Sequence, residues 1–165
     1  MKRILPVLFI PVIAVLLLSA CNSSTGDKKE TKAAFDLLAA KKAVEDGNKN
    51  FMDLLRKGDS VGLANLYSSD ADFMSPNMPA VKGRPAIQTA FAGFINAGMT
   101  GFNLFTTEVW GYDDLVSEVG TWTFADKDGK ELDHGKYIVL WKMEDGKWKL
   151  HRDCWNADTP CQPSK

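Results

Sequence analysis

Histidine is scarce in this 165-residue chain: there are two, His134 and His151. Cysteine is almost as rare, at positions 21, 154 and 161. No HExxH, CxxC, GxGxxG or P-loop pattern occurs. The usual ligand spacings of a zinc site and the glycine loops that cradle a nucleotide are therefore missing, and no built-in metal or other cofactor is expected. No charge of one sign dominates. Twenty Lys and Arg stand against 21 Asp and Glu, a net charge of −1. These charges are interspersed, without the basic block or aromatic-basic patch that would hold nucleic acid.

What is present begins at the first residue. Lys2 and Arg3 precede an apolar run from Ile4 to Leu18. A membrane span needs about 20 apolar residues, so this run is short for a span and suits a signal peptide. It ends in Leu18-Ser19-Ala20-Cys21, which resembles a bacterial lipobox whose cysteine becomes lipidated. The alternative is an ordinary secretory signal with an incidental cysteine. Residues 22–32 are polar and tether-like. Asn22 replaces the Asp that commonly retains lipoproteins at the inner membrane. The expected location is therefore the outer membrane, facing the periplasm, with acyl chains on Cys21 in the bilayer. The expected divisions are a signal over 1–20, a tether over 21–32, one domain over 33–157 and a tail over 158–165.

Within the domain, Ala40, Val44, Gly47, Phe51, Leu54 and Leu55 recur at helical spacing among charged residues. Gly58 suits a left-handed cap, and Asp59 can cap a short second helix carrying Leu63, Leu66 and Tyr67. Residues 71–75 form a strand. Gly83-Arg84-Pro85 opens a third helix with Ile87, Phe91, Phe94 and Ile95 on its buried side, and Gly98 ends it. From Asn103 the hydrophobic period becomes two. Four strand-like runs follow, separated by residues 112–114, 126–129 and the hairpin signal Asp145-Gly146. Helices followed by an antiparallel meander make an α+β pattern.

The stretches KGDSVGLANLYSSDADFMSP, VKGRPAIQTAF, VGTWTF and GKYIVLWKMEDGKWKLHRDCWN resemble the SnoaL-like, ketosteroid-isomerase-like branch of the nuclear transport factor 2-like superfamily. The resemblance runs from about Ala33 to Asn156. It implies a cone-shaped cystatin-like roll, in which a strongly bent antiparallel sheet wraps around three helices and encloses a pocket. Function does not follow from it, because relatives include isomerases, cyclases, dehydratases, ligand binders and dimerisation modules.

The Asp145-Gly146 turn pairs Glu144 with Lys147, Trp141 with Leu150, Val139 with Arg152 and Tyr137 with Cys154. One face then carries Tyr137, Val139, Trp141, Trp148, Leu150, Arg152 and Cys154. The other carries Ile138, Leu140, His151, Asp153 and Trp155. Alternation separates Cys154 from His151 and Asp153, which argues against a Cys–His–Asp nucleophile. A β-bulge near the strand's end would reverse that parity and turn His151 and Asp153 inward. Export permits a Cys154–Cys161 disulfide, worth no more than about 2–3 kcal/mol for so short a loop. The alternative is two free thiols.

The pocket is therefore expected to hold Tyr67, Phe73, Phe91, Phe94, Trp110, Trp122, Tyr137, Trp141 and Arg152. Plain core is the competing role for each aromatic, and an ion pair with Asp70 or Asp72 is the competing role for Arg152. Tyr67, Asp72, His151 and Asp153 are the candidate catalytic groups. Glu108 and Glu118 are further candidate bases whose facing alternation does not settle. Ile138, Leu140, His151 and Trp155 are too apolar for a free outer face. Relatives often dimerise through the outside of the sheet, so the resemblance assigns these four to a homodimer interface. Three functions follow. The first is a lipoprotein that binds a small apolar or aromatic molecule. The second is a cofactor-independent isomerase, dehydratase or cyclase acting by general acid–base catalysis. The third is a structural dimer.

Overall fold

The structure, a computed structural model, describes residues 34–160. The signal run, Cys21, the tether and Cys161 lie outside the described residues. Among those described, no helix is long and apolar enough to cross a membrane.

Helix α1 spans Leu37–Lys57. Asp36 caps it, accepting from the backbone N–H of Leu38 at 2.9 Å and of Ala39 at 3.1 Å, which satisfies donors that the first turn leaves unpaired. Gly58 ends it at φ 71°. Asp59 then caps α2, Ser60–Asn65, through Gly62 N–H at 2.8 Å. Strand β1, Tyr67–Met74, begins earlier than the residues 71–75 expected from the sequence. Tyr67 thus belongs to a strand rather than to the second helix. A short β2, Val81–Lys82, leads into α3, Gly83–Asn96. The meander follows as β3 (Phe102–Tyr112), β4 (Leu115–Ala125), β5 (Glu131–Glu144) and β6 (Lys147–Ala157).

The architecture is α+β, with sheet order β2-β1-β6-β5-β4-β3. The sheet is mixed rather than wholly antiparallel, because β1 lies parallel to β6. The chain between them holds α3 and four strands, a crossover long enough to bring the two into the same direction. Helix α1 packs on β3 and β6, and α3 packs on β1. Leu63, Tyr67, Ile87, Val116 and Trp141 are completely enclosed. Gly47 lets α1 come close to the sheet: a Cβ there would stand 2.9 Å from the Trp141 ring.

Asp145 and Gly146 both have positive φ, 52° and 72°, as a tight hairpin turn requires. The expected pairing holds from Glu144–Lys147 to Trp141–Leu150. It then shifts, and Leu140 pairs with Arg152, leaving His151 as an extra residue. Val139 consequently faces Asp153, and Tyr137 faces Trp155. The expected pairings of Val139 with Arg152 and Tyr137 with Cys154 are corrected by this bulge. One extra residue reverses the parity of everything beyond it. A second bulge in β3 leaves Thr107 extra, between Thr106–Gly120 and Glu108–Val119.

Candidate functional site

The two bulges decide what faces the helices. Asp153 and Trp155 turn inward, and Arg152 and Cys154 turn outward. Between α1, α3 and the inner sheet face is a cavity of about 80 Å³. Its walls are aromatic and aliphatic, including Phe51, Phe73, Phe91, Phe94, Phe102, Trp122 and Trp155. Phe73 and Phe91 approach to 5.2 Å between ring centroids, and Trp122 meets Trp155 edge-on at 5.5 Å. Asn48, Tyr137 and Asp153 supply the polar part of the lining.

Asp153 is buried, and one carboxylate oxygen accepts from the Tyr67 hydroxyl at 2.5 Å. Burial raises the Asp153 pKa from its ordinary 3.8 to about 6, against the opposing effect of the Tyr67 hydrogen bond and with a smaller push from Glu118. Burial and the facing carboxylate hold the Tyr67 phenol well above its usual range. Tyr67 therefore serves as a fixed donor. Asp153 is a carboxyl that exchanges its proton close to neutrality beside an apolar cavity.

A second acid is satisfied differently. Glu118 is fully buried on β4. Its Oε1 accepts from Asn48 Nδ2 at 2.5 Å, Thr106 Oγ1 at 2.7 Å and Tyr137 Oη at 2.7 Å. Its Oε2 accepts from Trp141 Nε1 at 2.8 Å. Residues from α1, β3, β4 and β5 thus meet at one carboxylate, a buried network with its bonding needs met. Burial and Glu118 together push the Tyr137 phenol upward. Gly120 makes room for that phenol, since a Cβ there would overlap the Tyr137 ring.

Trp122 is the exception among the buried polar groups. Among the described residues its Nε1 is the one buried side-chain nitrogen or oxygen with no hydrogen-bond partner. Such an unpaired buried donor costs about 1–3 kcal/mol.

The remaining candidates lie elsewhere. Trp110 is exposed on the outer face beyond the β3 bulge, so its place in the pocket is corrected. Arg152 is also outside the cavity. Its Nε stands 3.3 Å from Asp72 and its NH1 donates to the Asp70 carbonyl at 2.9 Å. Asp72 also faces Lys82 at 3.4 Å and is therefore held at this rim, away from the cavity. Trp141 is buried core bonded to Glu118. Trp155 lines the cavity, which removes it from the outer face.

His151, the bulged residue, rests in a surface cluster. Its Nδ1 is 2.9 Å from Ser68 Oγ, 3.1 Å from Arg152 NH1 and 3.3 Å from Asp70 Oδ1. Burial and the adjacent Arg152 lower its pKa below the ordinary 6.5. Serine and aspartate meet the same ring nitrogen here. A nucleophile triad needs them on opposite nitrogens, so this cluster is no hydrolase site. Cys154 is exposed on the outer face, away from the inward Asp153; its expected disulfide partner, Cys161, lies outside the described residues. No group of three or more His, Cys, Asp or Glu suited to a metal occurs among the described residues.

The outer sheet face presents Phe105, Trp110, Tyr112, Leu115 and Ile138, each more than two-fifths exposed. Leu140 neighbours Ser117 and Arg152 on that face. Asn48 was not anticipated from the sequence as an inward residue, although Ala40, Val44 and Asn48 share one i, i+4 stripe.

The model of the SnoaL-like domain family matches residues 49–151, more than half of the chain. The chain belongs to the SnoaL-like family. Solved structures share the fold. A cystatin-like protein of unknown function from Nostoc punctiforme PCC 73102 superposes with a TM-score of 0.67 at 17% identity, covering 78% of this chain and 98% of that one. A ketosteroid isomerase-like protein from Erwinia carotovora atroseptica SCRI1043 gives 0.60 at 16% identity, covering 72% and 96%. A protein from Mycobacterium tuberculosis, also of unknown function, gives 0.61 at 20% identity, covering 73% of each chain. A comparison with curated proteins finds no match. At these identities the structures establish the fold of the SnoaL-like domain alone.

Proposed function

We propose that this protein is an exported, lipid-anchored member of the SnoaL-like family that binds a small apolar or aromatic molecule. The observation that carries the reading is the aromatic-walled cavity with Asp153 at its edge. About 80 Å³ is small beside the ~300–1,000 Å³ of pockets that enclose drug-sized ligands. The molecule is therefore of few heavy atoms. Native mass spectrometry of the mature chain isolated from its envelope tests this. A small molecule retained by the wild type and released by Phe91→Ala is the expected result. Identical ligand-free spectra, with no binding of added aromatic compounds, would overturn it.

The lipobox-like Leu18-Ser19-Ala20-Cys21 supports the anchor, and Asn22 supports the outer membrane. Cys21→Ser is expected to abolish lipid labelling and move the protein out of the Triton-extractable membrane fraction. Unchanged labelling and fractionation would contradict the anchor.

A second reading rests on Asp153. A carboxyl near pKa 6 at an apolar cavity suits general acid–base work by a cofactor-independent isomerase, dehydratase or cyclase. Asp153 would carry the proton and Tyr67 would hold it in place. The exposed apolar outer face supports a homodimer, with Ile138, Leu140 and Trp110 in the interface and Trp155 outside it. The same native spectra report this as a dimer mass that Ile138→Lys reduces to the monomer.

A further inference from the structure

The cavity carries negative charge without a positive group to meet it. Asp153 lines the wall and keeps 7% of its surface accessible. Asn48 and Tyr137 also line it, and both donate to Glu118 behind them. Both Glu118 oxygens accept from groups that can only donate, the Asn48 amide and the Trp141 indole, which is the pattern of an ionised carboxylate. Among the described residues, no Lys, Arg or His lines the cavity. Acids at the rim of the sheet are matched: Asp70 faces Lys142 at 3.2 Å, Asp72 faces Arg152 at 3.3 Å and Glu144 faces Arg84 at 2.5 Å. The donors to Asp153 and Glu118 are neutral side chains. Buried charges are ordinarily paired, so the interior is short of a counter-charge.

The rest of the wall suits a cation of one kind. Phe73 and Phe91 stand 5.2 Å apart at 36°, Phe91 and Phe94 6.1 Å apart at 76°, and Trp122 and Trp155 5.5 Å apart at 88°. Rings at such different angles surround the space instead of stacking across it. Phe51, Phe94, Phe102 and Trp155 are half-buried, so they keep surface that a ligand can touch. Aromatic rings attract a cation within about 6 Å of the ring centre, and more strongly where water is excluded. A primary ammonium would bring three N–H donors to a wall made mostly of rings. A quaternary ammonium brings none, so no single polar atom has to be reached. Its methyl shell meets the rings, and the field of the carboxylates acts across that shell. We infer that the ligand carries a small quaternary ammonium group, seated among the aromatic side chains and balanced by the Asp153 and Glu118 carboxylates. The inference rests on the reading of the cavity as a ligand site and gives its apolar occupant a positive charge.

The test uses two probes of the same shape, choline and 3,3-dimethylbutan-1-ol, which differ in a cationic nitrogen against a neutral carbon. Both are titrated at pH 8, above the Asp153 pKa of about 6. The proteins are the mature chain carrying Cys21→Ser and the same chain with Asp153→Asn. Choline is expected to bind the first protein about tenfold more tightly than the alcohol. Asp153→Asn should cut that ratio about tenfold, because a carboxylate charge is lost while the cost of taking each probe out of water cancels. An uncharged apolar cavity would favour the alcohol, since the cation gives up its hydration. The first ratio therefore decides alone if the variant does not fold. An alcohol bound as tightly as choline, or a preference that Asp153→Asn leaves unchanged, would overturn the inference and leave the cavity reading standing. Toluene bound where choline is not would do the same. Binding of none of the three would overturn the cavity reading, and the inference with it.

Discussion

Glu118→Ala is expected to lower the stability of the domain by about 4 kcal/mol, on the scale of the largest single-site effects. Four donors lose their acceptor at once: Asn48, Thr106, Tyr137 and Trp141. Each buried donor left unpaired costs about 1–3 kcal/mol, and water admitted to the vacated space recovers part of the sum. For a domain of this size the melting temperature should fall by about ten degrees or more. Glu118→Gln keeps the shape and one acceptor oxygen but sets an NH2 group against a donor. Its loss should be about half as large. Thermal and urea unfolding of both variants measure this. A loss below about 1 kcal/mol for the alanine variant would show that the four donors find other partners and that Glu118 is not the hub of the network.

The second large effect has the opposite sign. Asp153 is held at about pKa 6 in the folded chain against 3.8 ordinarily. Below about pH 4 the carboxyl is protonated in both folded and unfolded chains, and stability is at its full value. Between pH 4 and 6 the folded chain keeps its proton while the unfolded chain releases it, so stability falls as pH rises. Above pH 6 both are ionised, and the penalty amounts to about 3 kcal/mol. Asp153→Asn removes the charge and keeps a partner for Tyr67. At pH 8 it should stabilise the domain by about 1–2 kcal/mol after allowance for the weaker hydrogen bond. At pH 4 it should give no gain. Unfolding free energies at the two pH values decide the matter, and a variant whose stability tracks the wild type at both would refute it. If the domain is an enzyme, the same substitution should reduce turnover by about 10²–10⁴. A carboxyl that costs stability in the folded state is what proton chemistry at this position requires.

The helices and the hairpin were legible in the sequence because local chemistry determines them. Gly58 and Asp59 mark their turn, and Asp145-Gly146 sets the β5–β6 register as far as Trp141–Leu150. The sequence resemblance also carries the family and the α+β fold. Sidedness beyond the bulges was harder to read, although a trace of it is present. In β6 the inward apolar residues are the even-numbered Trp148 and Leu150, then the odd-numbered Trp155 and Ala157. In β3 they are Phe102 and Leu104, then Val109. Each change of parity marks one surplus residue. Regular alternation carried past the β6 bulge placed Arg152 inside and Trp155 outside, and Trp110 was assigned to the pocket as an aromatic residue, without a register for β3. The convergence of Asn48, Thr106, Tyr137 and Trp141 on Glu118 joins residues far apart in the chain and depends on the assembled sheet. The unpaired indole of Trp122 is likewise a property of packing, with no counterpart in composition or spacing.

His151 stands one residue in excess of its partner strand, so the ladder can lose that one codon and keep its sides. Leu150 would then be followed directly by Arg152, and every pair beyond the bulge would stay as it is, with Asp153 toward the helices and Arg152 toward water. Straightening the strand with His151 retained would instead pair Val139 with Arg152 and turn Arg152 and Cys154 inward. On this scaffold the acidic interior therefore survives a deletion that removes the surplus residue, and depends on that residue staying outside the ladder for as long as it is present.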